Sequence, residues 1–129
     1  MSGFLLDTHI AIFALQAPEK LSAQTRAALL SGTSVLSVVS YWEVMIKSMK
    51  GMMDVGEPRL WWSDSLEQLT AEPLLLQPRH VSALAGLPAH HKDPFDRMLI
   101  AQAIAENLTL LTADTRISRY ASTGLRMIS

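Results

Sequence analysis

HKDPFDRMLIAQAIAENLTLL, His91 to Leu111, sets two aspartates three residues apart at the head of a helical run, then closes with a short apolar strand. Asp93 fits the helix cap, Pro94 the first helical position, and Asp96 the third, where a carboxylate meets the positive end of the helix dipole. Beyond them Phe95, Met98, Leu99, Ile100, Ala101, Ala103, Ile104 and Ala105 leave little polar face. The pattern predicts a helix buried in the centre of the domain. Capping needs only one acid, so the second asks for another explanation.

Working outward, the chain alternates. Gly3 to Asp7 (GFLLD) reads as a strand, and Thr8 to Gln16 as a helix with Ile10, Phe13 and Ala14 on one side. Leu21 to Leu30 is a helix with Ser22 as its cap, stopped by Ser31-Gly32. The β-branched run Val35 to Val39 is a strand, after which Ser40 is expected to cap a helix from Tyr41 to Lys50. Glu57-Pro58 opens another helix. Pro73 to Leu76 is a candidate strand, and His80 to Leu87 a short helix closed by Pro88. Leu108 to Leu111 and Arg126 to Ile128 are strands, the last at an edge. Strands that alternate with helices and read as continuous apolar runs imply a mainly parallel sheet covered on both faces, a three-layer α/β/α fold. Its crevice lies at the strands' carboxyl ends.

With 129 residues, a second domain would leave both halves short of a core, so residues 1–129 are expected to form one domain. Hydrophobic residues make up 49% and charged residues 18%, more apolar surface than a small monomer hides, which points to a partner chain. No apolar stretch nears the roughly 20 residues of a membrane span and no export pattern opens the chain, so a cytoplasmic protein is expected. The absence of cysteine excludes disulfides, thiolate metal sites and cysteine nucleophiles. A net charge of −1 lacks the basic excess of many nucleic-acid binders, so any attraction to phosphate must be local.

Four acids then stand out. Asp7 ends the first strand and Asp114 follows the strand before it, while Glu43 and Asp96 lie on helices. Each has an ordinary alternative: Asp7 and Asp114 as helix caps, Arg116 as a partner for Asp114, Glu43 in a capping box with Ser40, and Arg97 as an ion-pair partner for Asp93 or Asp96. Together they converge on one sheet edge, where four carboxylates repel unless cations sit between them. Hard divalent ions such as Mg²⁺ or Mn²⁺ take oxygen ligands and are commonly shared with a substrate phosphate. One or two such ions polarise a phosphodiester and activate a water, with no protein nucleophile required.

The remaining candidates are weaker. Lys47, one turn after Glu43, pairs with it or reaches a phosphate, and pairing is the expectation. His9 and the His90-His91 pair lack the helical spacing of a zinc site, and His80 reads as helix surface. Of Trp61 and Trp62, at least one is expected in the core or against a partner.

Three segments, LLDTHIAIFAL, SVVSYWEVMIKSMKG and HHKDPFDRMLIAQAIAENLTLLTADTRI, in this order and spacing, resemble PIN-domain ribonucleases of the VapC toxin type. The pattern HxDPFDRxLIAQA is close to a signature of one branch of that family. The resemblance implies Mg²⁺- or Mn²⁺-dependent endoribonuclease activity, a homodimer, and inhibition by a cognate VapB-like antitoxin. It carries the family's acidic quartet onto Asp7, Glu43, Asp96 and Asp114. Asp7 and Asp96 are expected to hold the main ion, with Glu43 and Asp114 completing the site or binding a second ion, and activated water attacking RNA phosphate in line. Asp93, Lys47, Thr112 and Arg97 are expected to back the ligands or touch substrate. The segment GMMDVGEPRLWW departs from the usual basic GKL pattern after the glycine. Two other classes compete: an aspartyl phosphotransferase of the haloacid dehalogenase kind, which needs an acid where His9 stands, and a silent binding module whose acids only cap helices.

Overall fold

The structure is a computed structural model that describes residues 3–89 and 93–129, and only the backbone of 121–123. The His90-His91 pair lies outside the described residues. Five strands, β1 (Phe4–Leu6), β2 (Ser34–Ser37), β3 (Glu72–Leu74), β4 (Thr109–Leu111) and β5 (Arg126–Ile128), form one sheet in the order β3-β2-β1-β4-β5. Every pairing is parallel, with Leu5 flanked by Val35 and Leu110. Among the described residues six α-helices cover the sheet: α1 (Thr8–Gln16), α2 (Ala23–Ser31), α3 (Val38–Met49), α4 (Pro58–Leu69), α5 (Pro78–Ala83) and α6 (Pro94–Glu106).

Successive residues of a strand point to opposite faces, and here each face has its own core. Leu5, Val35 and Leu110 pack with Leu99, Ile100 and Ala103 of α6 on one side. Leu6, Leu36 and Leu111 pack with Ile10, Ala28 and Trp61 on the other. The α/β/α expectation holds, and α6 is the central helix, with Met98 to Ala103 all buried. Helix α3 bridges the two layers, giving Val39 to one core and Val44 to the other.

The structure corrects the chain around Ser37. The strand expected over Val35 to Val39 ends at Ser37, and the helix begins at Val38. Ser37, not Ser40, is the cap, its Oγ accepting from Val39 N at 3.0 Å. β-Branched propensity yields here to burial, since Val39 is fully buried inside the helix. Ser40 sits within the helix and accepts a hydrogen bond from Thr8 Oγ1 at 2.9 Å, fastening α1 to α3. The capping box proposed for Glu43 therefore disappears. Smaller shifts affect β3, which runs one residue earlier than expected and ends at Leu74, and α5, which starts at Pro78 and gives way to a 3₁₀ turn over Leu84–Gly86.

His80 is the second correction. It is fully buried, not on the surface, with Nδ1 accepting from Gln77 N at 3.0 Å and Nε2 3.6 Å from Glu106 Oε2. Gln102, the one polar residue in the buried stretch of α6, lies against it and accepts from Ser37 Oγ at 2.5 Å. Trp61 is buried, and Trp62 stacks on Tyr41. Among the described residues no helix is long and apolar enough to cross a membrane. Leu5 touches both neighbouring strands and the α6 core, so Leu5→Ala should lower stability by about 2–5 kcal/mol in urea unfolding; a loss below about 1 kcal/mol would contradict its central place.

Candidate metal centre

The order of the sheet reverses between β1 and β4, and the carboxyl ends of those strands open the crevice there. Its lining is Asp7, His9, Phe13, Glu43, Lys47, Asp93, Asp96, Ala113, Asp114 and Arg116, around a cleft of about 290 Å³. All four acids singled out in the sequence meet in this cleft, together with Asp93.

Asp7 follows β1 directly, and both readings of it coincide. It caps α1, with Oδ1 accepting from His9 N at 3.1 Å, and it is also the floor of the cleft, only 4% exposed. Thr112 Oγ1 donates to Asp7 Oδ2 at 2.7 Å and accepts from Asp114 N at 3.0 Å, so one hydroxyl ties the ends of β1 and β4 together. Burial raises the Asp7 carboxyl above the usual range; the bonds from Thr112 and His9 N and the His9 ring oppose this, while the charge of Glu43 adds to it. The ring of His9 is exposed, its Nδ1 4.0 Å from Asp7 Oδ1.

Glu43 projects from α3 on the same inward stripe as Val39, Ser40 and Val44. It is 1% exposed. Oε2 accepts from Lys47 Nζ at 2.5 Å, the i,i+4 pair expected from the sequence. Oε1 is buried and has no hydrogen-bond partner among the described residues. Such an atom is costly unless something positive reaches it. Burial works to lower the Lys47 pKa, yet the hydrogen bond and charge of Glu43, aided by Asp93 and Asp96, carry it above the ordinary value.

Asp93 and Asp96 are half-buried at the head of α6. Asp93 Oδ1 accepts from Phe95 N at 2.9 Å and Asp96 N at 3.1 Å, the cap foreseen in the sequence. Its Oδ2 is 4.0 Å from Lys47 Nζ. One ligand atom each from Glu43, Asp93 and Asp96 lies within 4.8 Å of the others, a spacing that can hold a cation. Asp93 thus stands nearer this trio than the sequence suggested, and the signal for it was only the Asp-Pro cap. Asp114, half-buried, accepts from Arg116 N, Nε and Nη2, the last at 2.7 Å. Arg97 donates to Pro88 O at 2.9 Å and to Tyr120 Oη at 3.2 Å, bracing α6 against the loop before it and the turn after β4. Phe13, Ala113 and the position of Arg116 over the cleft carry no signal of their own in the sequence.

The PIN-domain family model matches residues 4–122. The chain belongs to the PIN-domain family. Ribonuclease VapC22 of Mycobacterium tuberculosis is 26% identical over 122 residues, covering 93% of each chain. Similar folds occur in a DNA-bound VapBC from Salmonella typhimurium, at 18% identity and TM-score 0.72, covering 99% of this chain and 98% of that one. VapBC2 from Rickettsia felis, bound to a DNA fragment from its promoter, gives 17% identity and TM-score 0.67 with the same coverage. In this PIN domain, the acids gathered from β1, α3, α6 and the turn after β4 fit a hard divalent cation: all donors are oxygen, one is buried and unpartnered, and two already face side-chain cations.

Because its folded pKa is raised, Asp7 ionises in the unfolded chain first. Stability is lost as pH rises from about the unfolded value, 3.8, through the folded one. Asp7→Asn should therefore stabilise the chain in EDTA at pH 7 and lose that advantage below the unfolded value. Urea unfolding at the two pH values measures this, and destabilisation at pH 7 would refute it.

Proposed function

We propose that this chain is a metal-dependent endoribonuclease toxin that hydrolyses RNA phosphodiester bonds and is held in check by a cognate VapB-like antitoxin. The observation that carries the reading is the convergence of Asp7, Glu43, Asp93, Asp96 and Asp114 on one cleft, with Glu43 buried and one of its oxygens unpartnered. The family membership and a curated relative bearing the name ribonuclease support it.

Asp7, Glu43, Asp96 and Asp114 would hold Mg²⁺ or Mn²⁺, with Asp93 beside them, its second oxygen facing Lys47. Such an ion supplies Lewis acidity toward phosphate oxygens and lowers the pKa of a coordinated water. The chain's own residues do the rest. Thr112 fixes Asp7 and the backbone of Asp114 at one spacing. Lys47 and Arg116 line the cleft as cations, a local attraction for phosphate that the net charge of −1 does not supply. Arg97 keeps the head of α6 in place through Pro88 and Tyr120.

The exposed apolar residues favour partners. Trp42 is 54% exposed, and Met49, Met52 and Leu60 are exposed as well. They suit a homodimer and an antitoxin contact, in a single-domain protein of the cytoplasm.

The chain, purified free of any partner, should cleave a mixed structured RNA pool in Mg²⁺ or Mn²⁺ and lose the activity in EDTA. Residues that only orient metal ligands cost about 10- to 100-fold when replaced, so Asp7→Asn and Asp96→Asn should each lose at least about 100-fold while keeping the native circular dichroism. Equal cleavage by the folded variants would overturn the placement of the site.

A further inference from the structure

We propose that Lys47 is a built-in cation of this centre, its ammonium filling the place between Glu43 and Asp93 that a second divalent ion would otherwise take, so that the cleft binds one metal ion. The inference rests on the metal-nuclease reading and goes further, by assigning a residue and a stoichiometry.

Geometry supports it on both sides of the ammonium. Nζ lies 2.5 Å from Glu43 Oε2 and 4.0 Å from Asp93 Oδ2. The Lys47 side chain is only 22% exposed and its partner Glu43 is 1% exposed, so this is not a solvated surface pair. The two oxygens of Glu43 differ: Oε2 faces the ammonium, and Oε1 is buried without a partner among the described residues. Asp93 is divided in the same way, with Oδ1 accepting two helix amides and Oδ2 turned toward Lys47. A pair of catalytic metal ions sits about 3.5 to 4 Å apart, sharing carboxylates between them. Here the oxygen of Glu43 that would serve a second ion is already occupied by a charge tethered to α3.

The far side of the cleft repeats the arrangement, with Arg116 closed on Asp114 through Nε and Nη2. The centre thus carries two of its positive charges on side chains. An ammonium has three donors on a flexible stem, so Lys47 can hold Glu43 and Asp93 and still present a proton to a phosphate oxygen of the substrate. The inference also explains why a lysine, whose desolvation is costly, is held inside an acidic cleft.

Electron paramagnetic resonance counts Mn²⁺ bound at saturation to the chain of 129 residues after its metal is stripped. The wild type should bind one ion. Lys47→Ala opens the space and removes the charge, and should bind two, with the broadened spectrum of ions a few ångströms apart. Lys47→Arg keeps the charge and should stay at one. If Lys47→Ala folds only with metal present, because Glu43 has lost its counterion, it is refolded in Mn²⁺ and counted there, while the wild-type count stands independently. Two ions in the wild type, or one in both the wild type and folded Lys47→Ala, would overturn the role of Lys47 and leave the nuclease reading intact. No bound Mn²⁺ in any form would overturn the metal reading itself, and this inference with it.

Discussion

Negative charge brought together at the end of a parallel sheet is the constraint around which this chain is organised. Glu43, Asp93 and Asp96 place oxygens within 4.8 Å of one another. At that distance, with an effective dielectric constant of about 20, each ionised pair repels by roughly 3 kcal/mol, and less where solvent enters. Against a total stability of about 5 to 15 kcal/mol for a typical domain, such a cluster persists only if its scaffold is rigid and cations are supplied. Lys47 and Arg116 are two of those cations. The cleft is therefore a concentration of like charge held in place by the rest of the fold, a spacing that can hold a further cation.

The scaffold meets this demand with a small number of buried polar links between elements that each carry an acid. Thr8 to Ser40 joins α1, which Asp7 caps, to α3, which carries Glu43. Ser37 to Gln102 joins the cap of α3 to the middle of α6, the helix headed by Asp93 and Asp96. Thr112 joins the end of β1 to the turn after β4. In a largely apolar interior these bonds are directional, where hydrophobic contact is not. Apolar packing on both sheet faces supplies the stability, and the hydroxyl and amide links set the spacing of the carboxylates.

Much of this was legible in the sequence because the relevant signals are local. The Asp-Pro-x-Asp head of α6, its apolar continuation and the apolar runs of the strands identified a parallel sheet with a buried central helix, and the strand ends then located Asp7 and Asp114. What was not legible depends on tertiary context. Val39 has strand propensity and sits buried in a helix that begins at Val38, and so the cap moved from Ser40 to Ser37 and Glu43 lost its capping explanation. His80 lies on a helix of ordinary surface composition and is buried because Gln102 of α6 meets it, a contact spanning 22 residues. Asp93 looked like a cap and is one, but only the approach of α3 to α6 brings its second oxygen beside Glu43 and Lys47. The sequence pairs Asp7 with Asp96 about the main ion; in the fold Asp96 also places an oxygen within 4.8 Å of oxygens of Glu43 and Asp93, a proximity that no local signal carries.

The central claim, that these acids are assembled to hold a divalent cation, is tested most directly by anomalous diffraction from a crystal of the chain equilibrated with Mn²⁺. The account predicts a single strong anomalous peak in the cleft, with carboxylate oxygens of Glu43 and Asp96 at roughly 2.0 to 2.3 Å and Lys47 still on Glu43. Density for manganese only outside the cleft, or an empty cleft at saturating Mn²⁺, would contradict it and reduce the acids to helix caps and ion-pair partners.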